Sequence, residues 1–145
     1  MTQTSQPTPL APAAHDADFP AYQQFLHLGE AGLAASIYFV VGALNFAPES
    51  ARDNWSAGQA LEVFQSRLGL VTRQLAGFPY MAGERFTAAD ISVTYALELA
   101  VRAGGVTLGE AERAYLARTT GRDGYRRAMD ACPATTAWAA RSPHW

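Results

Sequence analysis

Residues 80–102 read YMAGERFTAADISVTYALELAVR, and the rest of the chain is organised around them. Thr87 followed three residues later by Asp90 is a capping box: the Thr hydroxyl accepts the N3 amide, and the Asp carboxylate reaches back to the Thr87 amide. The carboxylate also suits the positive end of the helix dipole. Phe86 just before the cap and Ile91 just inside the helix are spaced to clasp as a hydrophobic staple. Phe86, Thr87, Asp90 and Ile91 are therefore read as a structural start signal, with no chemistry of their own. From 88 to 101 the residues are apolar almost all round, and only Thr94, Glu98 and Arg102 trace a polar line at four-residue spacing. A helix apolar on nearly every side is one that other helices wrap.

Upstream of this core, Gly77, Phe78 and Pro79 close a helix that starts at about 50 or 55 and runs to 76, with Trp55, Leu61, Phe64, Leu68, Val71 and Leu75 on one face. Before it, Tyr22, Phe25, Leu26, Leu33, Ile37, Val40, Val41 and Leu44 follow three-and-four spacing and predict one long helix over 21–46, capped near Asp18 and ended by Pro48. Its small residues at 29, 31, 32, 34 and 35 let a neighbouring backbone approach closely. Downstream, Gly104 and Gly105 break the pattern, and short helices are expected over 110–119 and 122–132. Every element reads as helical, so the fold class is all-α: a bundle of about five to six helices.

The run YMAGERFTAADISV resembles the sixth-helix signature of the C-terminal all-helical domain of glutathione transferases. The order of elements on both sides agrees, over residues 19–131. The resemblance implies that residues 1–17, rich in Pro, Thr, Gln and Ala, are a disordered tail or a former interdomain linker, and that 18–145 is the helical domain. In that family a thioredoxin-like domain precedes this point, and binds and activates glutathione through a Ser, Tyr or Cys. The chain carries no counterpart, so glutathione enters only if a thioredoxin-like domain is supplied by another chain. The family's fourth helix forms a wall of the hydrophobic-substrate site, which makes His27, Glu30, Ala31, Ala34 and Tyr38 the candidate substrate-binding residues here. Bacterial beta-type members often carry a catalytically important histidine after an E-L pair on this helix. The matching position is Ala34, after Gly32-Leu33, so the resemblance brings no catalytic residue into this chain.

Composition narrows the rest. With 145 residues, 49% hydrophobic and 17% charged, the chain has the make-up of one folded domain. A net charge of −2 and 11 scattered basic residues, all arginine, argue against a nucleic-acid surface. The N-terminus lacks a signal pattern, no uninterrupted apolar run is of spanning length, and the lone Cys132 suits a reducing cytoplasm, so a cytoplasmic protein without membrane contact is expected. Cys132 reads as an inert, partly buried thiol. His15, His27 and His144 lack metal-ligand spacing. Trp55, Phe64, Phe78, Tyr80, Tyr95 and Tyr115 read as core, and Trp138 and Trp145 as covers for a pocket or dimer surface. The reading is a glutathione-transferase-like helical domain, non-catalytic alone. Its expected partners are a second copy, a thioredoxin-like domain or a hydrophobic small molecule. The alternatives are a protein–protein interaction or dimerisation module, or a carrier of small hydrophobic ligands.

Overall fold

One buried carboxylate locates the central helix. The computed structural model describes residues 9–132, and these form α1 (Phe19–His27), a π-helical segment (Leu28–Ala34), α2 (Ala35–Asn45), α3 (Trp55–Leu75), α4 (Ala88–Arg102), α5 (Glu110–Thr120) and α6 (Asp123–Ala131). A short 3-10 turn at Glu49–Ala51 joins α2 to α3, and an isolated bridge between Tyr80 and Gly83 is the only β pairing among the described residues. The architecture is the expected all-α bundle. Its core gathers Phe25, Leu33 and Ile37 from the long N-terminal helix, Phe64 and Val71 from α3, Val93 and Leu97 from α4, and Tyr115 from α5.

The capping box at Thr87 and Asp90 is present, and its carboxylate arm is the stronger. The Thr87 amide donates to Asp90 Oδ2 at 2.8 Å, and the Thr87 hydroxyl donates to the same oxygen at 3.3 Å. Asp90 Oδ1 accepts the Met81 amide and the Tyr115 hydroxyl, each at 2.9 Å. Burial pushes this carboxyl above the usual range, while the amides of Met81 and Thr87 and the two hydroxyls pull it back. Leu10 adds its carbonyl to the Ala88 amide at 2.8 Å, and Pro12 is buried, so the described part of the proline-rich segment is seated on the start of α4.

Residues 19–45 are one continuous helix interrupted by the π segment, a departure from the regular helix expected over 21–46. The cause is α4. Gly29 lies so close to it that a Cβ there would sit 2.5 Å from the Ser92 carbonyl carbon and 2.7 Å from its oxygen. The Ser92 hydroxyl donates to the Leu26 carbonyl at 2.8 Å, and Gly32 O accepts Arg67 Nη1 at 2.8 Å and the Ser36 hydroxyl at 2.9 Å. Side chains thus serve carbonyls loosened by the wider turn, where the Ala35 amide reaches back five residues to Glu30. By length and composition this 27-residue helix is apolar enough to cross a membrane, contrary to the reading of apolar runs, but half of its most apolar window is buried inside the bundle.

Other departures follow from packing. Asp18 makes no side-chain cap bond, and its carboxylate turns instead to Arg85 at 4.0 Å. Asn54 caps α3, accepting the Ala57 amide at 2.9 Å, which leaves Trp55 at the helix start 78% exposed. Phe78 and Tyr95 are also exposed, although both were expected in the core. Helix α4 is wrapped on most sides but shows Ile91, Tyr95 and Val101 to the outside, and Ile91 is 52% exposed. Phe86 has other ring partners: it meets Tyr80 edge-to-face at 5.9 Å and carries the Arg122 guanidinium 3.6 Å above its ring. Cys132 is exposed, not partly buried. His144, Trp138 and Trp145 lie outside the described residues.

Two stability predictions follow from these contacts. Asp90→Ala strands four buried donors, the Met81 and Thr87 amides and the Thr87 and Tyr115 hydroxyls, and is expected to cost about 3 kcal/mol or more, whereas Thr87→Ala is expected to cost about 1 kcal/mol. Equilibrium urea unfolding measures both, and equal losses would contradict the carboxylate's central place. Gly29→Ala is expected to cost about 3 kcal/mol or more because the backbone of α4 must move, a loss that thermal unfolding reads directly.

Candidate functional site

The candidates of the long helix do not all share one surface. His27, Glu30, Ala31 and Tyr38 are exposed, while Ala34 faces the core and is fully buried. A regular helix would bring 27, 31, 34 and 38 onto one stripe. The π segment turns Ala34 inward.

Tyr38 reaches across from α2 to α4. Its hydroxyl lies 2.6 Å from that of Tyr95, and both rings remain partly exposed, at 44% and 46%. The hydrogen bond with Tyr95, then burial, then the charges of Tyr95 and Glu30 push the Tyr38 phenol up to about 12. Glu30 therefore faces the pair electrostatically. Two phenols that share one hydrogen bond retain one free proton, so at neutral pH the pair donates a hydrogen bond to a ligand acceptor and acts as neither base nor nucleophile.

Tyr95 was read as core, yet a signal for its exposure was in the sequence. Ile91, Tyr95, Glu98 and Arg102 lie at four-, three- and four-residue steps along one face of α4. Arg102 pairs with Glu98 at 2.8 Å, and the Tyr125 hydroxyl from α6 donates to the Glu98 carboxylate at 2.7 Å. Burial first, then the Glu98 hydrogen bond, raises the Tyr125 phenol. This closes the polar end of the face, leaving Ile91 and Tyr95 as its apolar end. Among the described residues no group of His, Cys, Asp and Glu is placed to hold a metal.

The pair makes a pH prediction. Because the folded Tyr38 phenol lies above its ordinary value of 10.0, its contribution to stability is whole below pH 10 and is lost as pH rises through about 12. Tyr95→Phe is expected to return the Tyr38 phenol toward its ordinary value. Absorbance titration of phenolate formation in the single variant tests this, and an unmoved titration curve would refute the pairing.

No protein-family model matches the chain, and no curated protein matches it. Solved structures do. A bacterial glutathione transferase, BphK, seen in a ternary complex, is 27% identical with a TM-score of 0.70, covering 84% of this chain and 58% of its own. A glutathione transferase from Methylococcus capsulatus is 24% identical with a TM-score of 0.67 over 84% of this chain and 58% of its own. A theta-class enzyme from Xanthomonas axonopodis pv. citri, with glutathione bound, is 23% identical with a TM-score of 0.69 over 81% and 62%. At 24% and 23% identity the last two speak for the fold alone. The chain spans roughly three-fifths of these proteins, 58% to 62% of their length. Together with the capped central helix, these matches show that the described residues carry the all-helical C-terminal domain fold of the glutathione transferase family.

Proposed function

We propose that this helical domain supplies the wall of a hydrophobic-substrate site in a glutathione-conjugating assembly, and that it does not conjugate alone. The observation that carries this is the Tyr38–Tyr95 hydroxyl pair at 2.6 Å, a hydrogen-bond donor held between two helices that also expose Ala31 and Ile91. Such a face orients an apolar electrophile through one acceptor atom while its body lies on aliphatic surface. Activating the glutathione thiol falls to a thioredoxin-like domain carried on another segment or chain, in the cytoplasm where glutathione is reduced.

Two measurements test the proposal together. The protein by itself is expected to show no retention on immobilised glutathione and no turnover of chlorodinitrobenzene; turnover would overturn the non-catalytic half. Fused behind the thioredoxin-like domain of a bacterial glutathione transferase, it is expected to restore conjugation. The Tyr38→Phe, Tyr95→Phe double variant of that fusion should then lose about tenfold in kcat/KM. An unchanged value would remove the pair from the substrate site.

A second reading, self-association, rests on a different surface. Leu44, Phe46 and Trp55 are all exposed where α2 hands over to α3, with Phe46 at 68%. Exposed large apolar side chains of this kind are where copies of a chain pair. Light scattering over a concentration series is expected to show a dimer that Trp55→Ser disperses, and a monomer at every concentration would eliminate this reading.

A further inference from the structure

We propose that Tyr38 and Tyr95 form an oxidation site, at which the oxidising equivalents of a peroxide, delivered one electron at a time, join the two rings in a covalent cross-link between α2 and α4. The inference stands whether or not the same face holds a substrate. Hydroxyl oxygens 2.6 Å apart put the two phenols in direct contact, and both rings are open to a soluble oxidant, at 44% and 46% exposed. The chain has six tyrosines, and the others lack this combination. Tyr22 and Tyr115 are buried. Tyr80 has Phe86 as its ring partner, and Tyr125 gives its hydroxyl to Glu98. Among the described residues no other two tyrosines share a hydrogen bond or a ring contact.

Tyr38 keeps its proton at neutral pH, so an electron leaves this pair only as a proton leaves with it. The hydroxyl that donates within the pair passes its proton to the partner oxygen while the partner's own proton goes to water. The phenoxyl radical that results carries its unpaired electron on oxygen and on the ring carbons ortho and para to it. Loss of a second electron and proton, from the neighbouring ring, sets two radicals side by side. They join through ortho carbons, and the hydrogens at those carbons move to the two oxygens as the rings become aromatic again. In sum one carbon–carbon bond forms, two electrons and two protons leave, and one hydrogen peroxide takes them up to become two waters. The fold supplies the second ring at an effective concentration that no free phenol reaches. The bond ties together positions 57 apart in the sequence and locks α2 to α4.

Treatment of the dilute full chain with hydrogen peroxide and a catalytic amount of a haem peroxidase, followed by cleavage at arginine, tests this. The monomer is expected to gain dityrosine fluorescence, to lose the mass of two hydrogens, and to yield one joined pair of peptides, those carrying Tyr38 and Tyr95. Tyr38→Phe and Tyr95→Phe are each expected to lower the monomer's fluorescence about tenfold or more, whereas Tyr125→Phe leaves it unchanged. The same treatment in denaturing urea is expected to cut the yield of the joined pair about tenfold, because the chain no longer holds the rings together. No joined pair, a pair made from other tyrosines, cross-links only between molecules, or an equal yield in urea would each overturn the proposal.

Discussion

The bundle depends on a charge taken out of water. Asp90 is fully buried, and three separate pieces of chain reach it: Met81 from the turn, Thr87 from the cap and Tyr115 from α5. A carboxylate in such a place is tolerable only when its lone pairs are filled, and a partly filled set costs more than an apolar core would. The constraint is therefore geometric as well as energetic. It fixes the turn at residues 80–87 against the start of α4, and brings α5 in over both. Thr94 and Thr119, joined at 2.9 Å further along, continue the same α4–α5 contact with a neutral pair.

With α4 placed, the long N-terminal helix has to accommodate it. Gly29 admits the α4 backbone at a separation no side chain would permit, and the helix widens there into π turns whose carbonyls are served by Ser92, Ser36 and Arg67. This local widening has a consequence two turns away. It re-phases α2 relative to α1, so that Tyr38 emerges beside Tyr95 while Ser36 and Phe39 turn toward α3. The candidate face is thus a product of one close approach between two helices.

That explains what could be read from the sequence and what could not. The capping box, the breaks at Gly77–Pro79 and Gly104–Gly105, and the helical class are local signals, and the structure reproduces them. The π segment is not a local signal: nothing in LGEAGLA announces it except glycines, whose meaning depends on a helix sixty residues away. The resemblance placed Ala34 on the candidate face, and the structure buries it. The exposed aromatics were misread for a related reason. Trp55, Phe78 and Tyr95 have the residue type of a core, but their burial is decided by which neighbours the chain brings over them.

The exclusive use of arginine gains a physical role in this light. Two arginines stand over aromatic rings: the Arg122 guanidinium carbon is 3.6 Å from the Phe86 ring centre, and that of Arg118 is 5.6 Å from the Tyr80 ring centre. Tyr80 and Phe86 are themselves edge-to-face, so the end of α5 and the start of α6 are latched to the turn that delivers Thr87 to its cap. A third, Arg67, is used for its fork, one nitrogen spent on the π segment and the other edge left over. A lysine ammonium has neither a plane to stack nor two separated donor edges. Whatever set the arginine content of this chain, the fold uses it in ways that lysine would not reproduce, at the cap of its central helix and at the π segment.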